Sequence, residues 1–159
     1  MKFLLPVLLV LIIVPGSGYC QSYEVKVGAE NNCCASIQNN KERCLSNAVK
    51  LKLEPGQYKA HPTGGAVSRY PSNKDATLRK TQPWFWLVMV FDGKEEYFLG
   101  SEVKYPDAKE AFVKNADEVV DINLSVQTTL YFYLTDEHEG MDKCSGNRGE
   151  AVLEIVKIK

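Results

Sequence analysis

Histidine is nearly absent: the 159-residue chain has two, His61 and His138. Neither belongs to a recognisable catalytic motif, since Gly-x-Ser-x-Gly, His-Glu-x-x-His and a Gly-rich phosphate loop are all missing. A surface hydrogen bond beside Pro62 is the expected role of His61. Charge of one sign is also scarce, because 19 Lys+Arg stand against 20 Asp+Glu. Without a basic face to displace counterions, no nucleic-acid partner is expected. Long apolar runs are limited to the twelve residues Phe3 to Val14. A membrane span needs about 20 apolar residues, so none is expected. No internal repeat or low-complexity segment is visible. With 45% hydrophobic and 25% charged residues, a disordered, collagen-like or coiled-coil chain is excluded. The length suits one folded domain.

What stands at the N-terminus is an address. One basic residue, Lys2, precedes the apolar run, and Pro15-Gly16-Ser17-Gly18 breaks it, which is the pattern of a secretory signal peptide. Removing it takes Lys2 away and leaves 18 basic against 20 acidic residues, a net charge of −2. Cleavage can follow Gly18 or Cys20, and cysteine parity favours Cys20. The chain has five cysteines, Cys20, Cys33, Cys34, Cys44 and Cys144, and an oxidising compartment disfavours an odd thiol. The expected organisation is a signal peptide over 1–20, a cystine-stapled segment over 21–48 packed on the domain, and a β domain over 49–159. Adjacent Cys33 and Cys34 seldom bridge each other, because the ring strains the peptide between them. One of them is therefore expected to pair with Cys44 and the other with Cys144. Zinc is disfavoured, since a spaced Cys-x-x-Cys pair is missing.

The pattern over 49–159 is that of strands. Val49, Leu51 and Leu53 alternate with Lys50, Lys52 and Glu54, then Pro55-Gly56 turns the chain into a short strand at Gln57–Ala60. From His61 to Pro83 prolines and glycines break every period, and a loop is expected; residues 28–47 read as an irregular cap. Trp84 to Phe91 is a continuous apolar run, expected as a central strand buried on both faces. Trp84 and Trp86 share a face of it, which raises a sugar-stacking platform, although at least one of the pair is expected in the core. Asp92-Gly93 marks a hairpin, and Lys94–Leu99 returns. Glu95 and Glu96 are adjacent, so they face opposite ways and read as solvated edge charge. The single expected helix lies near 106–114, with Pro106 in its first turn and Ala108, Ala111 and Phe112 on one face. Strands at 119–124, 130–134 and 151–158 complete an all-β antiparallel sandwich, jelly-roll-like, with one short helix.

The loop from Thr135 to Gly149 carries Asp136, Glu137, Glu139, Asp142, Ser145 and Asn147. Such oxygen donors, with glycines that allow sharp turns, suit Ca²⁺, which takes about six to eight oxygens. Composition alone favours a solvated acidic loop stapled through Cys144.

Glu54-Pro55-Gly56-Gln57-Tyr58 with Gly65-Ala66-Val67-Ser68, and Leu130 to Asp136 with Gly146-Asn147-Arg148-Gly149, resemble the two signatures of the PA-I-type galactophilic lectins, a galactose-binding-domain-like jelly-roll family. The resemblance covers about residues 49–158 in scattered short motifs. It implies a Ca²⁺ cofactor between the two loops that itself contacts sugar hydroxyls. Carried over, the metal ligands would be Asp136, Asn147 and a backbone carbonyl of Arg69 (or Tyr70). Gly146 stands where that family has a second amide, and Asp142 is the expected substitute. Asp136 and Asn147 would also meet the sugar. The His and Gln that hold galactose there have no equivalents in 71–83. The expected function is a secreted, non-catalytic carbohydrate-binding module with a glycan ligand; a metal-free protein-interaction or inhibitory module is the alternative.

Overall fold

The structure is a computed structural model that describes residues 21–34, 37–68, 83–135, 144 and 147–158, and of 37–40 the backbone alone. Nine strands and two helices follow in order: β1 (Ser22–Gly28), β2 (Cys33–Cys34), α1 (Ile37–Asn47), β3 (Val49–Leu53), β4 (Gly56–Ser68), β5 (Trp84–Phe91), β6 (Glu96–Tyr105), α2 (Ala108–Asn115), β7 (Val120–Leu124), β8 (Thr128–Thr135) and β9 (Arg148–Lys157). All pairings are antiparallel except the two-residue contact of β2 with β8. They build one connected sheet that curls into a half-barrel.

The expected all-β, mainly antiparallel character is present, but the two stacked sheets of a jelly-roll sandwich are not what the ladders form. One leaf runs β1-β9-β4-β7, the other β3-β8-β5-β6, and the pair Val67↔Phe85 joins them edge to edge. The join is possible because β4 outlasts β7. Its first five residues pair with β7, and its far end reaches β5 along the same edge, while β9 follows the other edge.

That length corrects the expected break at His61. β4 continues through Pro62, Gly64 and Gly65 to Ser68, and its ladder with β9 shifts register between Pro62 and Gly64. Gly65 takes a φ of 67°, where a Cβ would stand 1.9 Å from the Glu150 carbonyl oxygen. Glycine and a bulge let a strand absorb the breakers that sequence rules read as a loop.

The main core gathers Val25 and Val27 of β1, Ala60 and Val67 of β4, Trp86, Val88 and Val90 of β5, Leu130 and Phe132 of β8, and Ala151, Leu153 and Ile155 of β9. β5 is buried on both faces, as its unbroken apolar run requires. Its Met89 and Phe91 belong to a second cluster with Tyr133, Cys34, Cys44 and Ala48. β1 was not legible as a strand beforehand, yet Tyr23, Val25 and Val27 alternate with charges and pair fully with β9.

Among the described residues two helices are present where one was expected. α2 starts two residues after Pro106, which lies just before the N-cap Asp107 and not in the first turn: Asp107 Oδ1 accepts from the Glu110 N–H at 2.8 Å. Ala108, Ala111 and Phe112 pack on the main core as anticipated. The unexpected one, α1, replaces the irregular cap. Its composition is polar, so periodicity gives little sign of it, and tertiary contacts supply the stability. Cys44 and Leu45 pack in the second cluster, Lys41 Nζ sits 4.9 Å over the Phe91 ring, and the Cys34–Cys44 disulfide pins the helix down. The second disulfide is Cys33–Cys144, spanning 111 residues of sequence. Both pairings are of the expected kind and point to an oxidising compartment. Among the described residues, no helix is long and apolar enough to cross a membrane.

The β5–β6 hairpin forms around Asp92-Gly93, where Asp92 Oδ1 accepts from the backbone N–H of Lys94 and Glu95. β6 extends to Tyr105, well past the expected Leu99. Glu96 is not simply edge charge, because the buried Tyr133 donates its hydroxyl to Glu96 Oε1. Burial, reinforced by that bond and by the carboxylate's field, pushes the Tyr133 phenol well above its ordinary value of 10.0; burial moves Tyr58 and Tyr97 the same way. A raised folded-state value favours the neutral phenol, so this stabilisation is complete below about pH 10 and is lost as pH rises above it. The unfolding free energy from urea titrations should therefore fall between about pH 9 and 11, and Tyr133→Phe should make that fall shallower. An unchanged slope in the variant would show that Tyr133 does not carry the effect.

Candidate functional site

Four strand ends converge at one rim of the half-barrel. β4 ends at Ser68, directly opposite Arg148, where β9 begins. β5 begins at Trp84, one residue before Phe85, which faces Val67. β8 runs antiparallel to β5 and ends at Thr135, opposite Cys34. The Cys33–Cys144 disulfide ties this edge to the chain just ahead of β9. The residues that flank 69–82 and 136–146, namely Ser68, Trp84, Thr135 and Arg148, therefore lie at this rim.

Of the four expected calcium ligands, Asp136, Asp142 and Arg69 lie outside the described residues. The fourth, Asn147, is 5% exposed. Its amide Nδ2 points to Cys33 Sγ at 3.7 Å, and its backbone N–H donates to the Cys144 carbonyl at 3.1 Å. In this setting the Nδ2 and backbone N–H of Asn147 tie it to the disulfide corner. The next residue is a guanidinium, which repels a divalent cation. Among the described residues, no group of three or more His, Cys, Asp or Glu could hold a metal ion.

What the rim does assemble is a row across three strands, Trp84, Ser68 and Arg148. Residues directly opposite on antiparallel strands project to the same face, and serine is small enough for Arg148 to reach across it. The Arg148 guanidinium carbon lies 4.8 Å from the Trp84 ring centroid. Gly149 permits the arrangement: its φ is 91°, and a Cβ there would sit 2.2 Å from the Ala66 carbonyl oxygen and 2.8 Å from Trp84 Cζ3. Ser68 is 2% exposed. Among the described residues, neither Ser68 Oγ nor Arg148 Nε finds a hydrogen-bond partner, although both atoms are buried. Leaving such a group unpaired costs about 1–3 kcal/mol, and here two such groups stand on directly opposed residues. Trp84 and Arg148 are themselves half-buried, so the stack meets solvent on its outer side.

The two tryptophans divide as the alternation allowed. Trp86 is fully buried, with its indole N–H donating to the Gly64 carbonyl at 2.9 Å. Trp84 stays at the rim. Sequence reasoning missed Ser68 and Arg148 as side chains. The available signal was Arg148 between Asn147 and Gly149 at a strand start, and it was read for the amide alone. His61 Nε2 approaches Glu154 Oε2 at 3.4 Å, the surface role expected of it.

Comparison with protein-family models, with curated proteins and with solved structures gives no match for this chain.

Proposed function

We propose that the protein is a secreted, non-catalytic carbohydrate-binding module whose ligand, a glycan, docks at the rim formed by the ends of β4, β5, β8 and β9. The observation that carries this reading is the convergence of those four strand ends on the Trp84–Arg148 stack, with the Cys33–Cys144 bridge holding the corner. A rigid sheet that gathers several strand ends and an aromatic at one edge is a common arrangement for ligand recognition. Secretion rests on the signal-like N-terminus together with the two disulfides. The lectin resemblance adds Ca²⁺ to this proposal through Asp136 and Asp142, but the burial of Asn147 and the charge of Arg148 weigh against it.

A glycan array probed with the full secreted chain, with and without a calcium chelator, tests both parts. Binding to a discrete glycan class is expected, with the chelator leaving it unchanged. Loss of binding in chelator would instead restore the calcium mechanism, and an array without any signal would remove the carbohydrate reading.

One observation favours the alternative, a metal-free protein-interaction module. β6 pairs only with β5 among the described strands, and it exposes Phe98 (63%) and Val103 (56%). An open edge with apolar side chains suits addition of a partner's strand.

A further inference from the structure

We propose that Arg148 and Ser68, stacked beside Trp84, form a carboxylate-binding site, and that through it the rim selects acidic sugars; only the sugar part rests on the carbohydrate-binding reading. The chemistry follows from what the two residues lack. Arg148 carries a fixed positive charge, and among the described residues its guanidinium meets no carboxylate. Glu150, the nearest acid in sequence, is exposed, and with the leading contribution of Glu24 its field helps raise the Lys26 ammonium. Ser68 Oγ and Arg148 Nε are donors on directly opposed residues, both buried and both without partners among the described residues. In the proposal one carboxylate accepts from both at once.

Alternatives fit less well. A metal ion is repelled by the guanidinium, and a neutral hydroxyl satisfies one donor while leaving the charge unmet. A planar carboxylate matches the planar guanidinium fork, and such charge-assisted bonds are about twice as strong as neutral ones. Stacking on Trp84 holds the fork in one orientation, so less freedom is lost when the ligand arrives.

The test uses the ¹⁵N-labelled full chain and follows the Arg148 Nε–H and Trp84 indole N–H signals. Sodium acetate should shift both saturably, whereas sodium chloride at equal ionic strength should not. Sodium galacturonate should bind at least as well as acetate, and galactose about tenfold or more weakly, the discrimination expected of one charge-assisted bond. Ser68→Ala should weaken acetate binding and leave the melting temperature unchanged or raised, because it deletes a buried hydroxyl that bonds to none of the described residues. A drop in stability with unchanged acetate affinity would mean that Ser68 is structural, and would overturn the proposal. So would acetate acting no differently from chloride, even if neutral glycans bind the array. Acetate binding beside an empty glycan array would uphold the carboxylate site and discard the sugar.

Discussion

Replacing Cys33 and Cys144 together by alanine should lower the unfolding free energy by about 5 kcal/mol, and replacing Cys34 and Cys44 by about 3 kcal/mol. The order follows from loop length. The first bridge closes 111 residues and the second only 10, and the entropy a cross-link removes from the unfolded chain grows with the logarithm of the loop. The two losses should also differ in place. Cys33–Cys144 holds the rim and supports Asn147, so its removal should disturb ligand binding as well as stability. Cys34–Cys44 holds α1 against Met89, Phe91 and Tyr133, so its removal should chiefly free that helix. Denaturant unfolding of the two double variants, with hydrogen exchange over 37–47, would show both effects. Equal losses, or a greater loss for the shorter loop, would contradict the assignment of roles.

The second large effect is expected at Trp86. It is fully buried in the main core and bonded to the Gly64 carbonyl just after the β4 register shift. Trp86→Ala should cost about 3–5 kcal/mol through lost burial and the cavity left behind. For a chain of this size that lowers the melting temperature by roughly 10 °C or more. Trp86→Phe keeps most of the apolar volume but strands the Gly64 carbonyl, and should cost about 1–3 kcal/mol. Trp84→Phe at the rim should be milder than either and should act on binding. Calorimetric melting of the three variants gives the ranking, and a Trp84 variant as unstable as Trp86→Ala would undo the division between core and rim.

The contrast between these tryptophans shows what the sequence discloses and what it withholds. Alternation and apolar runs report burial, so β5, β8, the hairpin at Asp92-Gly93 and the α2 face were all legible. β4 was not, because Pro62 and Gly65 are read locally as breakers while an unbroken partner, β9, carries the strand through them. α1 was hidden for the opposite reason: its polar residues give weak periodicity, and one disulfide plus a few contacts hold it. The closure of the two leaves into one sheet depends on Val67↔Phe85, a contact between residues 18 apart that only the folded ladders reveal. At the site, spacing marked the acid-rich loop and Asn147, yet the buried state of Asn147 and the alignment of Ser68 with Arg148 come from register, which no local pattern encodes.

The rim is the centre of this account, and amide chemical-shift mapping tests it most directly. The labelled chain would be titrated with the glycan that binds best on the array. The account predicts shifts concentrated at Ser68, Trp84, Thr135 and Arg148, with β6 unaffected. Shifts centred instead on Phe98 and Val103 would contradict it and would place recognition on the open edge of the sheet.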